Sequence, residues 1–351
     1  MKLVTFDDGK GPQPGVLTGG SEVIFDVRAA ALATRGTVPE ELESVLTIVR
    51  AGDKALDLLR ALMGDIDVNE PAGYFIPKDS VRLLAPLPRP TQVRDFLCFE
   101  KHLVQGFEHA RLLRANLSGD PEAELAEMER QGILRVPDAW YDVPLYYRIN
   151  PANTCGDDVN VQWPSYSRVM DFEFEFACVI GRGGKDISPE NARAHIFGYM
   201  IMNDLSARDE QVRVMPGQLG PGKGKDFDNS KPMGPCLVTA DEIGDPYNLT
   251  MTARLNGEIF VKASSAEMNW RFEDCIAYIS QSETLEPGEI FASGTVGGGC
   301  AIEVGKTISV NDVIELEMEK IGVLRTRFVA QGSWEEQPRR LSIKPRNIAR
   351  A

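Results

Sequence analysis

Residues 171–181 read DFEFEFACVIG, a run in which acidic and aromatic side chains alternate. A strand of period two would place Asp171, Glu173 and Glu175 on one face and Phe172, Phe174 and Phe176 on the other. An edge strand with a solvated acidic face is the plain reading, although such a face usually mixes carboxylates with Lys or Thr. Neighbouring same-face carboxylates repel, and when partly buried they stay ionised together only if a cation compensates them. All-oxygen donors suit a hard divalent ion, magnesium first and manganese or calcium otherwise, whereas zinc or copper would call for His or Cys. The chain has only three histidines, His102, His109 and His195.

A second polar group follows in residues 194–211, AHIFGYMIMNDLSARDEQ. The apolar run IFGYMIM reads as a buried strand, and polar residues at the end of such a strand are placed to line a site. Asp204 could supply a third carboxylate there, while Arg208 and Gln211 offer planar donors for a substrate carboxylate or enolate. Taken alone, the segment is equally a strand followed by an Asn-Asp turn. Residues 217–228, GQLGPGKGKDFD, imitate the start of a phosphate loop, but Gly224 stands where that motif needs Ser or Thr, and KPMGP soon breaks any following helix. A nucleotide site is therefore not expected.

The ordered set D-x-E-x-E, G-Y-x-x-x-N-D-x-S-A-R-D-x-Q, G-K-x-F-D and S-G-T resembles the fumarylacetoacetate hydrolase family over roughly residues 91–330. Each piece is weak alone; their order is specific. The resemblance implies that Glu173, Glu175 and Asp204 coordinate Mg²⁺ or a similar ion and that Lys225 projects into the same site. In the family's hydrolases a further Asp ligand is followed seven residues later by a His and nine after that by an Arg. Asp95, His102 and Arg111 stand at these intervals. By the same resemblance Glu303 orients His102, while Tyr147 and Thr295 contact the substrate together with Arg111, Arg208 and Gln211.

These residues need a scaffold, and Gly (32) and Pro (22) are plentiful enough to suggest many turns and short strands rather than a bundle. Composition and periodicity predict an α+β fold that is mainly β. The resemblance adds a mixed β-roll or barrel around the site, and a homodimer. Residues 1–88 read as a small N-terminal α/β accessory domain, with hairpin-like strands and a helical stretch over 39–64, ending in the Pro-rich linker LLAPLPRPTQ. Residues 89–332 form the catalytic domain, and 333–351 a basic C-terminal tail. The acidic stretch 119–130, GDPEAELAEMER, predicts a Pro-initiated surface helix, either an insertion or a lid.

The net charge of −14 opposes binding to nucleic acid or to an anionic membrane. The opening MKLVTFDDGK has no export signal, and no apolar run is long enough to span a bilayer, so a cytoplasmic protein acting on a small molecule is expected. Six scattered cysteines without a C-x-x-C pair are read as reduced and structural, with Cys178 in the core. The leading expectation is hydrolytic cleavage of a carbon-carbon bond in a β-diketone or acylpyruvate-like acid. His102 would activate water, and the cation and Lys225 would stabilise an enolate leaving group. The alternatives use the same carboxylates: a decarboxylase, tautomerase, isomerase or dehydratase of a 2-oxo acid, or a metal-stabilised scaffold without turnover.

Overall fold

The architecture is that of a computed structural model, which describes residues 1–64, 73–116 and 118–330; the basic tail lies outside the described residues. Helix and strand are both abundant, and the largest unit is a 12-stranded mixed sheet. Its central path runs Lys2–Asp7, Lys231–Thr239, Ile196–Asn203, Phe174–Ile180, Glu289–Thr295, Gln92–Phe96 and Tyr146–Ile149. The strands Pro12–Thr18, Val23–Asp26 and Phe75–Pro77 extend it past Lys2–Asp7, so the N-terminal segment is hydrogen bonded into the sheet that carries the carboxylates. The path has two free ends, and no barrel closes among the described residues.

The strand Phe174–Ile180 is buried on both faces, which explains why its sequence is nearly all apolar. Phe174, Phe176, Cys178 and Ile180 face one hydrophobic cluster, shared with a five-stranded sheet. Ala177 and Val179 face a second cluster that includes Val45, Ile48 and Leu59. These last residues come from the helices Val45–Ala51 and Asp53–Gly64, which divide the expected helical stretch at Gly52 (φ 57°, ψ −131°). Each buried Phe contributes roughly 1.5–3 kcal/mol relative to exposure, so the strand is anchored by its aromatic side.

The alternation read from the sequence stops at one point. Residues Phe172 and Glu173 are outside any strand, and Asp171 pairs in a separate two-residue ladder with Ser206. Asp171 turns away because its carboxylate accepts the backbone N–H groups of Ala301 and Ile302 and the Nε–H of Arg208. The acidic face is thus Glu173 and Glu175, with Asp171 serving as an anchor.

Two strands far apart in sequence bracket the site. Gln92–Phe96 runs parallel to Glu289–Thr295, which runs antiparallel to Phe174–Ile180. The intervening strand sets Ala292 opposite Asp95 and Thr295 opposite Glu175, with Ser293 and Gly294 between them. Gly294 has φ +75°, and a Cβ there would lie 2.2 Å from the carbonyl oxygen of Phe96. Gly294→Ala is expected to cost about 2 kcal/mol or more of folding stability, from strain and from the forced backbone shift together. Urea denaturation would check it; an unchanged midpoint would mean that this close approach is not required.

The acidic stretch forms the helix Pro121–Gln131, with Pro121 in its first turn and Asp120 accepting the N–H of Ala123 as its cap. It packs on the helix Glu100–Asn116, through which His102 enters the site.

Candidate active site

Four carboxylates, Asp95, Glu173, Glu175 and Asp204, are all buried and bring one oxygen each to within 4.8 Å of one another. Strand ends supply the backbone geometry. Asp95 lies opposite Tyr147 and Ala292, and Glu175 lies between Met202 and Thr295. Asp204 follows the strand Ile196–Asn203, where its N–H is held by the carbonyl of Glu173 at 3.1 Å. The side chain of Asn203 accepts the N–H of Glu173 at 3.2 Å, so each half of the Asn-Asp pair has its own task.

The four acids are not equivalent. Lys225 lies 2.5 Å from Glu173 and 2.6 Å from Asp204, and Arg208 lies 2.6 Å from Glu173. Asp204 also accepts the Tyr147 hydroxyl at 2.8 Å. Burial opposes the charge of both acids, but the neighbouring cations prevail. Lys225 and Arg208 hold Glu173 below its ordinary carboxyl value, and Lys225 with Lys231 does the same for Asp204. Glu175 and Asp95 lie at the other extreme. Burial pushes Glu175 well above the usual range, reinforced by Asp95, Asp204 and Glu173, while Asp95 rises through burial and the charge of Asp204.

Neither oxygen of Glu175 nor Oδ1 of Asp95 meets a hydrogen-bond donor among the described residues. Buried carboxylate oxygens without donors are costly unless something positive satisfies them. The donor set is all oxygen, with no His or Cys in the group, so the residues present fit a hard divalent cation.

These opposed shifts give the cation-free protein a particular pH response. Glu173 and Asp204, with lowered folded values, contribute stability above about pH 4 that is lost as pH falls through those values. Asp95 and Glu175, with raised values, contribute stability below about pH 4 that is lost as pH rises through theirs. Chelator-treated protein should therefore lose part of its thermal stability between mildly acidic and neutral pH, and a divalent cation should restore more at neutral than at pH 5. Calorimetry with and without cation tests this; a cation effect independent of pH would contradict it.

Beside the carboxylates opens a cavity of about 360 Å³, lined in part by His102, Tyr147, Gln211, Lys225 and Thr295. His102 Nδ1 is hydrogen bonded to Glu303, whose other oxygen accepts the N–H of Gly298. A carboxylate at Nδ1 favours the tautomer that leaves Nε2 as the basic nitrogen. Gln211 accepts from Arg208 at 3.1 Å, which leaves its amide N–H groups for a ligand. Gly224 lets the helix Arg208–Val214, which carries Gln211, sit close, because a Cβ there would lie 2.6 Å from the Gln211 Cα.

Arg111 does not join the group. Its guanidinium is 2.8 Å from Glu129 on the neighbouring helix, and it does not line the cavity. The reason is helical phase: nine residues at about 100° each place Arg111 on the face opposite His102. Lys231 and the anchoring role of Asp171 were not apparent from the sequence. The signal for Lys231 was a lone Lys opening the otherwise apolar strand KPMGPCLVT, where it is fully buried.

A profile of the family described as fumarylacetoacetate (FAA) hydrolase C-terminal matches residues 118–329. The chain belongs to this family. Among curated relatives, "Oxaloacetate tautomerase FAHD2A, mitochondrial" of Bos taurus is 30% identical over 337 residues, covering 94% of this chain and 92% of that protein. "Oxaloacetate tautomerase YisK" of Bacillus subtilis (strain 168) is 30% identical over 313 residues, covering 88% and 93%. Among solved structures, the fumarylacetoacetate hydrolase of Exiguobacterium antarcticum superposes with TM-score 0.68 at 24% identity, covering 94% of this chain and 100% of that one. The maleylpyruvate hydrolase of Sphingobium sp. SYK-6 gives 0.67 at 21%, with the same coverage. These neighbours place the fold within the family, whose named members include both tautomerases and hydrolases. As in the sequence, no helix among the described residues is long and apolar enough to cross a membrane. All six cysteines are free thiols, and Cys178 is buried in the core.

Proposed function

We propose that this fumarylacetoacetate hydrolase family enzyme interconverts the enol and keto forms of a small 2-oxo dicarboxylic acid, with oxaloacetate the first candidate. The observation that carries the reading is that His102, bonded to Glu303, lines the same cavity as Asp95, Glu173 and Glu175 of the carboxylate cluster. The relatives named as oxaloacetate tautomerases, aligned over nearly the whole chain, support the choice of substrate.

Asp95, Glu173, Glu175 and Asp204 would hold a divalent cation, magnesium first, which supplies Lewis acidity beside the 2-oxo group and makes the adjacent C–H more acidic. His102 Nε2 takes the proton from that carbon, and the negative Glu303 carboxylate at Nδ1 offsets the resulting imidazolium charge. Returning the proton to oxygen completes the enol; returning it to carbon restores the ketone. The ammonium of Lys225 adds positive potential where negative charge builds on the enolate. Gln211 and Thr295 offer donors that orient the substrate, and Tyr147 keeps Asp204 in place.

The test follows the decay of enol oxaloacetate by ultraviolet absorbance, with Mg²⁺ and with chelator. Acceleration that disappears on chelation supports the proposal; a rate equal to the uncatalysed one in Mg²⁺ rejects it. Glu303→Gln should lower turnover by about ten- to a hundredfold, because the imidazole loses the partner that sets its tautomer. A full pH–rate profile distinguishes that loss from simple misfolding.

A second reading, hydrolysis of an acylpyruvate, is favoured by the apolar side of the cavity, formed by Leu103, Phe107, Leu145, Met215 and Pro221. A four-carbon acid leaves that side unused, whereas an acyl chain would fill it. Measuring product release from a panel of acylpyruvates, under the same metal conditions, separates the two chemistries.

A further inference from the structure

Lys231 is the one component of the site that neither substrate chemistry nor cation binding calls for. It opens the strand Lys231–Thr239 and is fully buried. Its ammonium lies 2.5 Å from Asp204 Oδ1 and donates to the carbonyl of Lys225 at 2.8 Å. A longer contact of 3.4 Å reaches the carbonyl of Leu205. Lys231 is not among the residues lining the cavity, and its ammonium reaches Asp204 from within the core.

Asp204 is therefore held from both sides. Oδ1 faces Lys231, while Oδ2 faces Lys225 and Tyr147. Glu175, a few ångströms away in the same cluster, has no donor on either oxygen among the described residues. Two lysines on one carboxylate are more than orientation needs, since Lys225 and Tyr147 already fix Oδ2. The second positive charge sits behind Asp204, where it offsets the cluster's negative charge without occupying the space in front of it.

We propose that Lys231 is a built-in counter-cation that weakens divalent-ion affinity at this site: it neutralises Asp204 when the site is free and repels the ion when it is bound. The inference rests on the reading of the four carboxylates as a cation site. Both halves act in one direction. Removing the lysine leaves a buried carboxylate less compensated in the cation-free protein, and it removes a positive charge close to the bound ion. Loss of this residue should thus tighten binding, whereas a merely structural residue would, on removal, damage the site and weaken it.

The experiment measures Mn²⁺ binding by calorimetry and by the electron paramagnetic resonance signal of free Mn²⁺, for the wild-type chain and for Lys231→Met and Lys231→Gln. Met removes the charge at similar length, and Gln removes it while keeping N–H donors for the carbonyl of Lys225. Both variants should bind Mn²⁺ about tenfold or more tightly than wild type. Both should also melt lower without cation and recover most of the loss in saturating Mn²⁺. Unchanged or weaker binding in both variants overturns the proposal, as does failure of both to fold even with Mn²⁺ present. If Gln matches wild type while Met does not, hydrogen bonding rather than charge is at work, and the proposal also falls. No Mn²⁺ binding by the wild-type chain would instead reject the cation site itself.

Discussion

Replacing His102 with Ala is expected to lower turnover by about a hundredfold or more while leaving Mn²⁺ binding unchanged. The separation follows from geometry. His102 is carried by the helix Glu100–Asn116 and is bonded to Glu303, whereas the four carboxylates come from strand ends and the turn at Asp204. Nothing in the cation's expected oxygen cage depends on the imidazole. Enol–keto kinetics and Mn²⁺ titration on the same preparation would decide. Full activity in the variant would remove His102 from the proton-transfer role, and loss of Mn²⁺ binding would mean that the helix and the cage are coupled.

Glu175→Gln should produce opposite effects on stability and function. Both oxygens of Glu175 lack donors among the described residues, and burial together with three neighbouring acids disfavours its charge. A neutral amide of nearly the same shape relieves that repulsion, so the cation-free variant should melt higher than wild type by a few degrees. The same change removes a charged ligand, and Mn²⁺ affinity should fall by about a hundredfold or more, with turnover falling alongside it. This is the pattern expected where a site stores unfavourable electrostatics for use in binding. Thermal melts and Mn²⁺ titrations measure the two arms separately. A variant that melts lower without cation would show that Glu175 is already compensated in the free protein.

Much of this site could be read from residue order. The alternation in DFEFEFACVIG located Glu175 and the buried Phe side of its strand, because a two-residue period survives any sheet packing. It failed at Asp171, since that carboxylate's partners, Ala301 and Ile302, lie about 130 residues away and leave no local mark. The interval from Asp95 to His102 joins two residues that line one cavity, whereas the interval to Arg111 leads to the far face of the helix Glu100–Asn116, which no local pattern marks. Lys231 was hidden for a different reason: the lysine that opens KPMGP looks like solvated loop chemistry until the strand that buries it is known. In the fold, the mixed sheet followed from the family resemblance, while its open path and the joining of Lys2–Asp7 to Lys231–Thr239 are long-range pairings that no window of sequence displays.

The strand Glu289–Thr295 lies between the strand of Glu175 and the strand of Asp95, although both precede it by more than a hundred residues. During synthesis the ribosome must therefore deliver the chain through Thr295 before Asp95 has a fixed distance to Glu175. A nascent chain ending short of residue 289 carries all four carboxylates without the wedge that sets their spacing. Assembly of the carboxylate cluster is consequently a late event in the synthesis of each molecule, and a product ending before that strand would lack the spacing it sets.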